Sequence, residues 1–337
     1  MKAKNITGQP PGGKRTPISE LLPLDTPLLM QIFPIYRCNF RCKYCTFSID
    51  KDKRGFISDK EIFPLDLFKR IINDSVYFPS KIRVLRFVGM GEPLLHPDIL
   101  EMIAHAKDSN KFERIELLTN GSLLTQKISD SLISAGLTKL LISIQGTSKE
   151  KYKEISGVNL NFNDFINNIR YIYDNRKQCQ IHIKIIDCAL DGIDDEMWFF
   201  ELFGDICDTI GIEKAGPIYP DVAYNKEIPT GDINQYNCEA GNSNICTQPF
   251  FSIQINPDGN VVPCYSIDYP KIMGNINTEY IVNIWNGKIY NQFRHDMLSG
   301  ISCNNICENC LIFRHRSYQE DTLNDKKIQE LKECYKR

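Results

Sequence analysis

Two hydrophobic rhythms alternate from residue 28 to residue 216. Short apolar segments read as strands: "LMQIFPIY", "IRVLRFVG", "RIELLTN", "KLLISIQG", "QIHIKIIDCA" and the weaker "IGIEKAG". Between them lie amphipathic helical segments: "FPLDLFKRIINDSV", "HPDILEMIAHAKD", "TQKISDSLISAG" (stopped by Gly136), "NFNDFINNIRYIYDN" and "DDEMWFFELFGDICDT". Strands alternating with helices imply an α/β fold with a parallel sheet and right-handed crossovers. Six such units fit a partial TIM-like (β/α)6 barrel, and they fit a doubly wound sheet as well. The strand faces favour the barrel. In "QIHIKIID", Ile181, Ile183 and Ile185 share one face, and His182 and Lys184 share the other. In "KLLISIQG", Leu140, Ile142 and Ile144 stand opposite Ser143 and Gln145. A doubly wound sheet is covered on both faces and reads apolar throughout. A wall that is apolar under helices and polar around a ligand reads as this one does. An edge strand with one wet face is the alternative.

The rhythm has boundaries. Residues 1–26 are polar and rich in Pro and Gly, and are expected to form a mobile lead-in. The (β/α)6 core is expected over 27–216 and a linker over 217–245. A compact small α+β unit is expected over 246–337, with two strands joined by the "NPDGN" turn and a helical tail. The chain has 337 residues, 42% of them hydrophobic and 24% charged, as in an ordinary globular protein. Its net charge of −2 points to no nucleic-acid or anionic-membrane partner. The longest apolar stretch, "LLPLDTPLLMQIFPIY", is broken by Asp25 and three prolines, so no membrane span is expected. The N-terminus lacks the apolar core of a secretory signal, so a cytoplasmic location is expected. There, thirteen cysteines read as metal ligands before disulfides.

Three of these cysteines crowd into "CNFRCKYC": Cys38, Cys42 and Cys45. With a fourth ligand from elsewhere they suit zinc. They equally suit a cubane iron–sulfur cluster, in which three thiolates leave one iron open. The stretch resembles the CxxxCxxC signature of the radical S-adenosylmethionine (SAM) enzymes, with Tyr44 before the last cysteine as in that family. The resemblance implies that SAM chelates the open iron and that the reduced cluster cleaves it to methionine and a 5′-deoxyadenosyl radical. "GMGEP" after the second strand is similar to the family's GGEP motif, with Met90 at its first glycine and Gly91 and Glu92 matching. "LLTNG" ends the third strand and would turn Asn120 into the site. "ISIQG" ends the fourth, where Ser143 matches the family's serine and Gln145 replaces its usual aspartate. "YKEISG" resembles Y-x-x-I-R-G with Ser156 in place of arginine. The resemblance thus names Tyr44, Gly91, Glu92, Asn120, Ser143 and Gln145 as SAM contacts. It also implies an external one-electron reductant of flavodoxin or ferredoxin type.

A second cysteine set lies toward the C-terminus. Cys246, a Gly-x4-Cys turn at Gly259 to Cys264, and the Cys307-x2-Cys310 pair resemble the SPASM extension of radical SAM enzymes. Four thiolates complete a cluster and leave no open iron. A zinc ribbon fits the same four ligands. The long cysteine run of a full SPASM domain is absent, so one auxiliary 4Fe–4S cluster of the shortened "twitch" kind is expected. Cys238, Cys303 and Cys334 are read as incidental thiols. The resemblance leads to an oxidoreductase. Its radical takes hydrogen from a C–H bond, the auxiliary cluster takes an electron, and a lumen base, Lys184 or His182, takes a proton. The short segment before the first strand favours a small-molecule substrate, such as a sugar or aminocyclitol, over a peptide. Radical epimerisation and peptide maturation remain alternatives. So does a zinc-stabilised binding protein without catalysis.

Overall fold

The computed structural model describes residues 1–9, 15–54, 58–219, 221–228, 232–241, 243–265 and 268–336. Ten strands join one sheet: β1 (Lys4–Asn5), β2 (Leu29–Ile32), β3 (Ile82–Phe87), β4 (Phe112–Thr119), β5 (Lys139–Ile144), β6 (Gln180–Ile186), β7 (Thr209–Glu213), β8 (Ser252–Ile255), β9 (Asn260–Val262) and β10 (Gly274–Asn275). Their order is β1-β7-β6-β5-β4-β3-β2-β8-β9-β10. From β2 to β7 each strand pairs in parallel with its successor. A doubly wound sheet reverses strand order part-way; this wall does not, and it is the partial barrel expected from the strand faces. The five expected helices connect these strands, as Leu65–Asp74, Ile99–Asp108, Gln126–Ser134, Phe162–Asn175 and Ile193–Phe203. A further helix, Lys149–Ser156, starts at the Ser148 cap and stops at left-handed Gly157.

The outward face is dry: Leu140, Ile142, Ile181 and Ile183 are fully buried. The opposite face carries a polar row set by register. Gln254 lies beside Gln31, Gln31 beside Arg86, Arg86 beside Glu116, and Glu116 beside Lys139. Arg86 Nη2 meets Glu116 Oε2 at 2.7 Å and Arg114 Nε meets Glu116 Oε1 at 3.2 Å, so this buried carboxylate is paired from two sides.

One expectation about the N-terminal segment is corrected. The N-terminal residues are not a free lead-in. Lys4 and Asn5 pair in parallel with Thr209 and Ile210, and Ala3, Ile6, Ile18 and Leu22 are buried. The open edge of β7 offers unpaired backbone groups, and the short apolar stretches take them. The C-terminal unit continues the same sheet. The hairpin β8–β9 forms as expected across the turn at Gly259, but β8 also pairs in parallel with β2, Leu29 to Ser252 through Ile32 to Ile255. The auxiliary unit therefore extends the barrel wall. Among the described residues, no helix is long and apolar enough to cross a membrane.

Candidate radical and cluster sites

Parallel strands bring their C-terminal ends to one rim, and the motif residues lie there. Cys38, Cys42 and Cys45 sit on the loop after β2. Cys42 is buried, and Cys38 and Cys45 are half-buried. Burial pushes the Cys38 thiol up to about 11, and the charges of Glu92 and Cys45 add to it. Cys42 is raised well above the usual thiol value, first by burial and then by Cys45 and Cys38, so the three sulfurs stand within electrostatic reach of one another. Free thiols in such a place are neutral, and a metal cluster must displace their protons.

The loop is fixed by backbone. Arg41 N donates to Ser156 O at 2.8 Å and Lys43 N to Ile155 O at 2.9 Å. The Ser156 hydroxyl turns inward to Tyr152 O at 2.6 Å, so it replaces none of the charge that an arginine would bring. Arg41 supplies a cation nearby, its Nη1 donating to Cys38 O at 2.7 Å and Phe40 O at 2.8 Å. Gly91 lies where only glycine fits. Its φ is 149°, and a Cβ would stand 2.0 Å from Ile35 O. Glu92 is 1% exposed and accepts from Leu94 N, Thr119 Oγ1 and Asn120 N at 3.0, 2.6 and 2.7 Å. Burial raises its carboxyl and these bonds oppose the rise. The side chain thus ties the β3 rim to the β4 rim and has no face toward a ligand.

Asn120 meets the expectation more directly. Its Nδ2 lies 4.0 Å from Cys38 Sγ and donates to Asn39 Oδ1 at 2.9 Å, while Ser122 Oγ donates to its Oδ1 at 2.7 Å. Asn39 and Ser122 escaped the sequence reading; only their neighbours carried motif signal. Gln145 accepts from Tyr44 Oη and from Cys42 Sγ, the latter at 3.6 Å. An amide oxygen beside the middle cysteine therefore holds Tyr44 in place. Ser143 is half-buried on the lumen face, in register with Lys184.

The proposed bases fare differently. The register sets Leu141 beside His182 and Ile144 beside Ile185, so His182 lies four residues below the level of Gln145, roughly 13 Å at strand spacing. It is 2% exposed, bonds Thr209 Oγ1 through Nδ1 at 2.9 Å, and is lowered to about 3 by burial and then by Lys139 and Lys184. Its depth and burial set His182 apart from the rim residues and argue against it as the base. Lys184 lies two residues higher, and its Nζ meets Glu213 Oε2 at 2.6 Å.

One thiol at the rim was missed. Cys188, in the turn Asp187–Ala189 directly after β6, is half-buried and raised to about 11 by burial, against a hydrogen bond with Tyr224. Its charge is felt at Tyr44. The signal was its position two residues past a lumen strand.

In the auxiliary unit, burial raises Cys264 well above the usual value, and Cys246, Cys310 and Cys307 add to it in that order. Cys246 and Cys307 are each pushed to about 12 by burial and by neighbouring thiols, Cys303 among them. The four expected ligands thus lie within electrostatic reach of one another, and Cys303 within reach of Cys246 and Cys307. Among the described residues, no three His, Cys, Asp or Glu side chains close on the point a single metal ion would occupy. Two thiol sets, one of three and one of four, have the donor counts of an open and a fully capped iron–sulfur cluster.

Comparison with known proteins agrees with this division. The family model described as the radical SAM superfamily matches residues 32–198, and that of an iron–sulfur cluster-binding domain, SPASM, matches 246–311. The chain belongs to the radical SAM superfamily. Its cofactors are accordingly SAM, a 4Fe–4S cluster on the core and auxiliary iron–sulfur binding on the SPASM domain. The GTP 3′,8-cyclase of Clostridium perfringens strain SM101 is 26% identical over 200 residues, 59% of this chain and 55% of that protein. That of Staphylococcus carnosus is 32% identical over 161 residues, 48% of this chain and 45% of that protein. The chain spans about half the length of these curated relatives. Among solved structures, BtrN in complex with AdoMet and 2-DOIA covers 88% of this chain with 97% of its own, at 20% identity and a TM-score of 0.54. Streptococcus suis SuiB bound to the precursor peptide SuiA covers 93% with 78% of its own, at 14% and 0.64. At these identities the two share a fold with this radical SAM chain.

Proposed function

We propose that this radical SAM protein dehydrogenates a C–H-bearing alcohol or amine carbon of a small molecule, such as a sugar or aminocyclitol, with one auxiliary cluster of the twitch kind as electron acceptor. The carrying observation is the pair of converging thiol sets, three at the rim with an amide rather than a fourth thiol beside them, and four in the SPASM unit. When bound, the reduced cluster with SAM supplies a radical that takes one hydrogen atom, and the auxiliary cluster supplies an acceptor for the electron the substrate then sheds. The first step needs an external one-electron donor of flavodoxin or ferredoxin type. The work divides between the core, 27–216, and the auxiliary unit, 246–337, joined by 217–245. Cys38, Cys42 and Cys45 hold the first cluster; Tyr44, Gly91, Asn120, Ser143 and Gln145 shape the SAM cradle, with Glu92 bracing it. The Lys184–Glu213 pair is the lumen group that handles the proton. BtrN, which the chain matches over nearly all of that protein's length, was solved with 2-DOIA, and this favours a small substrate.

Cys188 favours a second reading. A thiol at the rim near Tyr44 can return a hydrogen atom to a substrate radical, which gives epimerisation without net oxidation. Turnover in deuterium oxide separates the two. Oxidation gives a product lighter by two hydrogens. Unchanged mass in water, with one deuterium gained at carbon in deuterium oxide, establishes epimerisation and overturns the first reading.

A further inference from the structure

The auxiliary unit holds two arginines among aromatic rings, and they differ in how they are satisfied. Arg294 is 1% exposed and lies 4.0 Å from the rings of both Trp285 and Tyr290. It donates to Pro249 O at 3.0 Å, Trp285 O at 2.8 Å and Asn291 Oδ1 at 2.9 Å. It clamps the helix Lys288–Met297 to the turn before β8. Arg316 has no such clamp. It ends the short helix Leu311–Arg316, which starts directly after Cys310. Its guanidinium lies 4.1 Å over the ring of Tyr265, the residue after Cys264. It is thus tied by chain to one expected ligand and by contact to the neighbour of another. Among the described residues it makes no ion pair, and its Nε is buried with no hydrogen-bond partner; Arg294 also has one such nitrogen, Nη2, but makes three hydrogen bonds with the others. A buried donor without an acceptor is costly, so such a group points to an acceptor still to arrive.

We propose that Arg316 is the fixed countercharge of the auxiliary cluster and that it raises the cluster's reduction potential. The proposal rests on the reading of Cys246, Cys264, Cys307 and Cys310 as that cluster's ligands. Four thiolates leave the cluster anionic, and reduction adds a further negative charge. A cation held near the cluster favours the reduced form. Arg316 and Cys246, another of the expected ligands, line one cavity. No cysteine is among the charges felt at Arg294. The direction suits an acceptor of substrate electrons, because a higher potential makes the cluster easier to reduce. The ring under the guanidinium, Tyr265, also meets Phe33 edge to face at 5.2 Å, and Cys38 and Cys45 pack against the same aromatic cluster, so the cation stands on the side of the auxiliary site that faces the radical site.

The test is a redox titration of the auxiliary cluster in protein whose Cys38, Cys42 and Cys45 are all alanine, so that one cluster is observed. Arg316→Gln should move the midpoint to a more negative potential, and Arg316→Lys should stay near the parent. An Arg316→Gln protein with full iron and the parent potential overturns the inference. If the amide variant does not assemble, Arg316→Met is the second neutral form. Loss of iron in both neutral forms with assembly in Arg316→Lys supports the need for charge. Loss in all three shows a packing role and overturns it. Absence of any cluster in the unsubstituted Arg316 parent refutes the ligand assignment itself, a distinct failure.

Discussion

At Gly91 a single missing methyl decides whether the rim can form. A Cβ there would meet Ile35 O at 2.0 Å and Arg37 O at 2.9 Å, both backbone atoms of the segment leading to Cys38. Gly91→Ala is expected to cost about 1–3 kcal/mol by overpacking, with further strain from its positive φ. It should also lower iron at the three-cysteine site. Denaturant unfolding and iron content check both effects. His182 offers a pH prediction. Its folded-state value of about 3 lies below the ordinary 6.5, so between those values the unfolded chain binds more protons. Stability is therefore full above about 6.5 and is lost as pH falls toward 3; at pH 5 the loss from this group is about 2 kcal/mol. His182→Asn should shrink the difference in unfolding free energy between pH 7 and pH 5 by about that amount. An unchanged difference would show that the imidazole is not desolvated as described. Strand alternation marked His182 as a lumen residue, but alternation carries no information on height. Register supplied it.

The pairing of β8 with β2 makes the auxiliary unit part of the barrel wall. Met30 and Ile32 of β2, and Ile253 and Ile255 of β8, are all fully buried. Cutting the chain after residue 245 would strip β8 away and open the β2 edge next to the cysteine loop. Exposed hydrophobic strand edges recruit other chains. The truncated protein is expected to aggregate, and amides of Leu29–Ile32 should lose hydrogen-exchange protection in any soluble fraction. A monomeric core with protected β2 amides would show that the core closes without its extension. The sequence marked both strands as strands. Their partnership joins residues more than two hundred positions apart, beyond any local periodicity.

Across the whole molecule, two anionic cofactor sites share one continuous sheet and an aromatic seam. Phe33, Tyr36, Phe47 and Met90 pack together, with Cys38, Cys45, Tyr219 and Tyr265 against them. Phe33 and Tyr265 meet edge to face at 5.2 Å, which links the radical rim to the neighbour of Cys264. The sites should still load independently, because no ligand is shared. Replacing Cys38, Cys42 and Cys45 together with alanine should abolish reductive cleavage of SAM while retaining about half of the iron, if both sites carry four-iron clusters. Cleavage at the parent rate would refute the assignment of the first site. Iron far above half would show more than one auxiliary cluster, and Cys303, whose charge is felt at Cys246 and Cys307, is where to look for its ligand.

By itself, the amino-acid sequence determined the elements and the ligand types. Period-2 and period-3.6 patterns are local, and so is the spacing of Cys38, Cys42 and Cys45, so each is legible without the fold. The GMGEP, TNG and SIQG stretches were legible for the same reason, since each follows a strand within a few residues. Only the tertiary structure decided where each side chain spends its hydrogen bonds. Glu92 became a brace because Thr119 and Asn120 arrive from another strand, and Lys184 met Glu213 across a register. Cys188 acquired meaning when its turn came beside Tyr44. The N-terminal strand and the β2–β8 pairing were hidden because free sheet edges are a property of the assembled wall. No stretch of chain, read alone, shows which edge will be left open.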